Sequence, residues 1–395
     1  MLPAWLSFII IISLVMVLSK YELGVTLSLG AVGFAILAGA NIMQSLINVV
    51  TDPTILLLII IVTLIPILGG IMEESGLMME MIQKMRVSRK ASLMVIPALF
   101  GLLPVPGGAL MSAPIVEQID SEEESSKKVS INVWYRHMLI LIYPLSSSLI
   151  LASILTDLNL YIIVLGLLPC LIIMWLVGYF TLIKDITPFS EQGERDLNRA
   201  FHNMLPIIIA PIIDFIGRTI FDLRVPEIFL LVALSFSIWL ALRFGNMKFS
   251  SIKRISKRMK IWRFPLIIFA MFIFLEVFII SGAPNEIANL NLSVFFLILI
   301  GFFLGFATGR IQLPISILIP IYLVQHAVLI MPLLDFIFIY VSISLGYLIT
   351  PIHPCVAYST DYFETDFKKV VKILGKPILI SFILLIGFYW LYFLI

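Results

Sequence analysis

The chain has 395 residues, 61% hydrophobic and 13% charged, with a formal net charge of +2. Soluble globular chains are about half apolar and about a quarter charged, so apolar surface on this scale belongs in a bilayer rather than in water-soluble domains. The small net charge provides no electrostatic footprint for a nucleic-acid partner.

A span needs about 20 mostly apolar residues. Hydropathy predicts about ten, at 3–19, 22–40, 53–72, 131–155, 159–183, 203–221, 226–243, 262–281, 332–357 and 376–395. Met1 to Leu18 carries no basic leader and no small-residue cleavage site, so it reads as the first span and not as a signal peptide. Two further apolar segments, 91–117 and 292–325, are long but interrupted, the first at Pro104-Val105-Pro106-Gly107-Gly108 and the second at Thr308-Gly309-Arg310. Each reads as a re-entrant hairpin, because irregular backbone at membrane depth survives only inside protein or beside a water-filled cavity. Cys170 and Cys355 form neither a disulfide framework nor a CxxC pattern.

Charge placement agrees with that count. Lys20, the cluster from Lys84 to Lys90, Lys127, Lys128, Lys184, Arg195, Arg199, the run from Arg243 to Arg263 and the lysines from Lys368 to Lys376 fall on one side, and only Arg218 and Arg224 on the other. The positive-inside rule makes the basic side cytoplasmic and puts both termini outside a cell membrane. The 243–263 run reads as an inside loop, or alternatively as a patch for anionic lipid. The acidic segment 117–128 reads as a solvated loop, and Trp134 and Tyr135, at the start of the fourth span, as an interfacial belt.

The sequence also repeats. Ser75-Gly76 and Ser281-Gly282 stand 206 residues apart, as do Pro114 and Pro320, and Tyr143-Pro144-Leu145 lies 207 residues before Thr350-Pro351-Ile352. Residues 1–183 and 203–395 each read as three spans, a hairpin, a broken span and a last span. Five full spans is an odd number, so the second half enters the membrane inverted. The fold class is therefore an all-α polytopic membrane protein of about ten transmembrane helices plus two re-entrant hairpins in an inverted repeat. Paired interrupted helices in such repeats point to the binding site of a secondary transporter.

Four breaks form the predicted substrate site. At the first tip are Pro106, Gly107 and Gly108, followed by Ser112; a helix starting there aims backbone N–H groups at an anion, and the alternative is a plain turn. At the second, Pro144 breaks the span before Ser146 and Ser147, whose hydroxyls serve either a ligand or helix packing. The third holds Thr308, Gly309, Arg310 and Gln312. An arginine at depth costs at least a few kcal/mol and needs a partner or a purpose; its fork suits a carboxylate or phosphate, and the alternatives are snorkelling to the outer surface or a structural ion pair with Glu276 or Asp335. The fourth holds Thr350 and His353, the latter between Pro351 and Pro354.

His353, Asp214 and Glu276 are the candidates for coupling to a proton or sodium ion. No metal site is predicted, because His137, His202 and His326 have no spaced partners. No HExxH, nucleophile elbow or Walker motif occurs, so neither an enzyme nor a resident cofactor is expected.

The segments Pro104-Val105-Pro106-Gly107-Gly108-Ala109, Asn132-Val133-Trp134-Tyr135-Arg136-His137 and Pro351-Ile352-His353-Pro354 resemble an uncharacterised prokaryotic integral membrane family of the ion transporter superfamily, related to gluconate permeases and dicarboxylate and citrate transporters. The resemblance covers nearly the whole chain. It implies an elevator-type homodimer with two opposed hairpins in a mobile transport domain, and does not name the substrate; a small organic anion such as a carboxylate is the expectation from the helix tips and Arg310. The Ser-Asn-Thr sodium motif of the dicarboxylate carriers is at neither tip, which leaves a proton through His353 as the implied coupling ion. The alternatives are a cation/proton antiporter using Asp214 or Glu276, and a non-transporting membrane partner subunit.

Overall fold

The computed structural model describes residues 2–18, 22–85, 88–102, 108–120, 123–187, 196–221 and 223–394. Among them every regular element is helical. In the first half run α1 (Ala4–Leu18), α2 (Leu23–Ala38), α3 (Ile42–Thr51), α4 (Pro53–Glu74), α5 (Leu77–Met85), α6 (Arg89–Gly101), α7 (Gly108–Ile119), α8 (Ser125–Arg136), α9 (Ser147–Thr156) and α10 (Leu160–Gly178). In the second run α11 (Leu197–Ile220), α12 (Glu227–Phe244), α13 (Ser251–Arg258), α14 (Arg263–Ile280), α15 (Ala283–Ala288), α16 (Val294–Thr308), α17 (Gln312–His326), α18 (Leu333–Ile349), α19 (Pro354–Tyr362) and α20 (Phe367–Leu394).

Short polar side chains start several of these helices. Asn41 accepts from the backbone N–H groups of Met43 and Gln44, Asp52 from Thr54 and Ile55, and Asn159 from Tyr161 and Ile162. Each satisfies donors that a helix leaves unpaired in its first turn. The helix flanks are apolar and face outward: Leu29, Ile36, Leu165 and Phe303 are each at least 60% exposed. In water that surface would aggregate, and in lipid it is solvated.

Among the described residues, seven segments have the length and apolarity to cross a membrane. Hydropathy alone predicts ten, and the other three have local causes. Helices α1 and α2, at 15 and 16 residues, fall short of a full span; at about 1.5 Å per residue they reach roughly 22–24 Å. The segment 131–155 is not one helix, because α8 and α9 are separated by a short 3-10 turn at Leu139–Leu141 and irregular backbone around Pro144.

Helix contacts fall into two groups. In one, α2 packs on α1 and α14, α4 on α12 and α14, and α11 on α5 and α12. In the other, α6 packs on α7 and α8, α16 on α18, α9 on α17, α19 on α7 and α8, and α20 on α8, α10 and α18. The crossing of α16 and α18 depends on glycine. A Cβ on Gly305 would lie 2.2 Å from the Ile343 carbonyl oxygen, and one on Gly346 2.0 Å from that of Phe302. Small residues let membrane helices approach to backbone distance. The groups meet where α17 packs on α14 and α15, and through two tyrosines: Tyr143 donates to the Ile207 carbonyl (2.9 Å), and Tyr161 to Asp214 (2.8 Å).

Two expectations are corrected here. Trp134 and Tyr135 are fully buried between helices and are not an interfacial belt. The 117–128 segment is not simply a solvated loop: its ends belong to α7 and α8, Asp120 is ion-paired with Arg89, and the buried Lys128 ammonium pairs with Glu117 at 2.7 Å. Charges removed from water need such partners.

Candidate functional site

Each described break has a local cause. Helix α16 ends at Gly309, whose φ of +58° lies in the left-handed region that glycine enters without steric cost. Thr308 Oγ1 donates to the Leu304 carbonyl (2.7 Å) and accepts from the Arg310 backbone N–H (3.3 Å), which closes the turn. Helix α18 ends before the extended Thr350. His353 then occupies the cap of α19 with Pro354 in its first turn, where a missing N–H costs nothing. Pro144 lies in the irregular stretch before α9.

Between the two helix groups lies a cavity of about 940 Å³. One group supplies Leu27, Val62, Pro66, Met259 and Met271 to its wall. The other supplies Arg136, Ser146, Ser147, Ser148, Arg310, Gln312, Tyr340 and Tyr358. The polar groups are linked to one another. Gln312 Nε2 donates to Ser147 Oγ at 2.9 Å, Ser146 and Ser148 hydroxyls are 2.8 Å apart, and Ser148 is 3.0 Å from the Tyr340 hydroxyl. The wall thus joins the starts of α9 and α17, where helix N-termini favour negative charge.

Its charge is lopsided. Arg136, Arg258, Lys260, Arg263 and Arg310 line it, and Glu22 is the lining carboxylate. Glu22 is already held by Arg263 at 2.8 Å, and Arg258 by Glu73 at 3.2 Å. Among the described residues no carboxylate comes within ion-pair distance of Arg310. Neither expected partner reaches it: Glu276 accepts from Asn48 (3.0 Å), and Asp335 from the Tyr322 hydroxyl.

Of the residues singled out from sequence, Ser146, Ser147, Arg310 and Gln312 line the cavity. Gly309 and Thr308 shape the turn that presents Arg310. Pro106 and Gly107 lie outside the described residues, and Gly108 begins α7. Ser112 belongs to a buried clamp instead: it donates to Asn132 (2.6 Å), whose amide donates to Ser359 (2.9 Å), tying α7 to α8 and α19. Thr350 is buried, its carbonyl accepting from the His353 backbone N–H at 3.2 Å. His353 is fully buried, its ring 4.0 Å from that of Tyr347 and 4.6 Å from that of His137, centroid to centroid.

Asp214 and Glu276 do not line the cavity. Asp214 is fully buried in a polar network with Arg218 (3.0 Å) and Tyr161, and Arg218 reaches Glu227 at 3.7 Å. Sequence reasoning missed Arg136, His137 and Tyr347 as wall residues; Cys355 and Tyr358, which follow directly on the fourth break, also line the wall. The available signal was the polar run Asn132 to His137 leading into the Pro144 break. Arg258, Lys260 and Arg263, from the basic 243–263 run, also reach the wall.

These features define a helical polytopic membrane protein with a cavity between two groups of helices in which basic side chains outnumber acidic ones. The chain belongs to the family described as Protein of unknown function (DUF401), whose profile matches residues 2–395. Comparison with curated proteins finds no match.

Proposed function

We propose that this protein is an ion-coupled secondary transporter for a small organic anion such as a carboxylate, of the elevator type, and not an enzyme. The observation that carries the reading is Arg310, which lines the cavity with no carboxylate paired to it among the described residues, in a wall where basic side chains outnumber acidic ones. A guanidinium at depth has a strong requirement for an anion, and its planar fork matches a carboxylate in two hydrogen bonds.

The arrangement of helices supports the mechanism. A cavity between two separately packed groups is where one group sliding against the other would expose a site to alternate sides. The internal repeat supports it too. Helix α5 starts at Leu77 and α15 at Ala283, 206 residues on; α9 and α19 start 207 residues apart, at Ser147 and Pro354. Gly76 and Gly282 share left-handed φ values of +78° and +76°. We assign 1–183 and 203–395 as inverted halves, with α6–α7 and α16–α17 as opposed hairpins and the basic loops cytoplasmic.

The test is uptake by reconstituted vesicles supplied with a panel of radiolabelled carboxylates, with and without imposed proton and sodium gradients. Gradient-dependent accumulation of a carboxylate is expected. Cation flux that needs no carboxylate would instead identify an antiporter, and absence of any flux from folded, correctly inserted protein would point to a partner subunit.

A further inference from the structure

Three residues with metal-binding chemistry meet at the cavity wall although sequence spacing separates them. His137 follows α8, while His353 and Cys355 open α19. One ligand atom from each lies within 4.8 Å of the other two. His137 and Cys355 line the cavity, and His353 stands fully buried behind them.

Two features distinguish this cluster from ordinary packing. His137 Nδ1 is 2.6 Å from the Val133 carbonyl. A carbonyl only accepts, so Nδ1 carries the proton and Nε2 keeps a free lone pair. Metal-ligating histidines are oriented by this same bond to a backbone carbonyl. His353 is fully buried, and the Tyr347 backbone carbonyl reaches at most one of its ring nitrogens, so at least one is left without a hydrogen-bond partner. A buried polar ring left in that state costs about 1–3 kcal/mol, and a metal ion removes the deficit.

We propose that His137, His353 and Cys355 form a binding site for a thiophilic transition cation of the zinc class, with its remaining coordination position open to the cavity. Two imidazoles and a thiolate are the ligands such ions select, whereas calcium and magnesium require oxygens. Tetrahedral geometry places ligand atoms about 3.3–3.8 Å apart, given metal–nitrogen and metal–sulfur bonds of about 2.0–2.3 Å. Side-chain torsions therefore close the cluster by about 1 Å as the ion enters. On binding, the Cys355 thiol proton leaves to solvent and the sulfur–metal bond forms. Arg136 donates a hydrogen bond to the Cys355 sulfur, and Arg310 is also within electrostatic reach of His353. These guanidiniums disfavour any cation bound without the thiolate. They also favour an anion at the open position. The site does not depend on the transport reading, because binding is measured on purified protein with no substrate present.

The test is titration of chelator-stripped, full-length protein in detergent with cobalt(II), followed by zinc. One equivalent of cobalt is expected to produce the thiolate-to-cobalt charge-transfer band, and zinc to remove it. Cys355→Ser should abolish the band and His353→Gln should weaken binding at least about tenfold, while Cys170→Ser leaves it intact. Elution profile and circular dichroism report whether each variant folds. In the unmutated protein, zinc should protect Cys355 and not Cys170 from maleimide, read peptide by peptide. The proposal is overturned if stoichiometric cobalt produces no charge-transfer band, if the band survives in Cys355→Ser, or if zinc leaves Cys355 labelling unchanged.

Discussion

Gln312 and Ser147, 165 residues apart in sequence, are joined by a hydrogen bond of 2.9 Å that ties the start of α17 to the start of α9. Two interrupted segments from opposite halves of the chain thereby share one wall of the cavity. Ser147→Ala removes the acceptor and leaves the Gln312 amide without it. The expected result is a loss of about 1 kcal/mol in stability, in line with hydrogen bonds between membrane helices. Anion affinity should fall about tenfold, equivalent to about 1.4 kcal/mol. Thermal unfolding in detergent and equilibrium binding measure the two separately. Unchanged affinity would show that this bond serves packing alone.

Arg310 offers a sharper test. Arg310→Ala should abolish carboxylate uptake while the protein still elutes as a single species. Arg310→Lys keeps the charge but loses the planar fork, so partial uptake with weakened affinity is expected. Full uptake by a folded Arg310→Ala protein would remove the central support for an anion site.

Asp214 separates a structural role from a coupling role. Its carboxylate bonds Arg218 and Tyr161 inside the protein. Removing one member of a buried charged network strands the others, at a cost of about 3–5 kcal/mol. Asp214→Ala should therefore lower thermal stability and the yield of folded protein, with the surviving protein transporting normally per molecule. A stable Asp214→Ala protein that has lost its gradient dependence would instead make Asp214 the coupling group.

Glycine substitutions test the helix crossing. Gly346→Ala places a Cβ 2.0 Å from the Phe302 carbonyl oxygen, and backbone on both helices must move to admit it. Gly387→Ala meets nothing within 4 Å, and alanine favours helix over glycine by about 1 kcal/mol. The first should lower the unfolding temperature strongly, and the second should leave it level or raise it. Equal effects would mean that α16 and α18 are not in backbone contact.

Several features of the fold were legible because they are local. Proline and glycine act on their own turn of backbone, so the breaks at Pro144, Gly309 and Pro351 could be seen in sequence, and Arg310 stood out as a charge in an apolar run. The segment 131–155 was harder. Its hydropathy reads as one span, yet the backbone between Arg136 and Ser147 does not continue the helix. Hydropathy averages over a window and does not register hydrogen-bond geometry.

By itself, the sequence determined that this chain is a helical membrane protein and where several of its helices break. Only the tertiary structure decided which residues meet. Helix α8 carries Lys128, Asn132 and Arg136 and yet is buried on nearly every side, so the full burial of Trp134 and Tyr135 could not be read from its residue pattern. The same holds for Arg136 reaching the cavity and for His137 lying against His353, 216 residues further along. Such meetings are set by how α8 packs against α19, a long-range contact that no local propensity encodes.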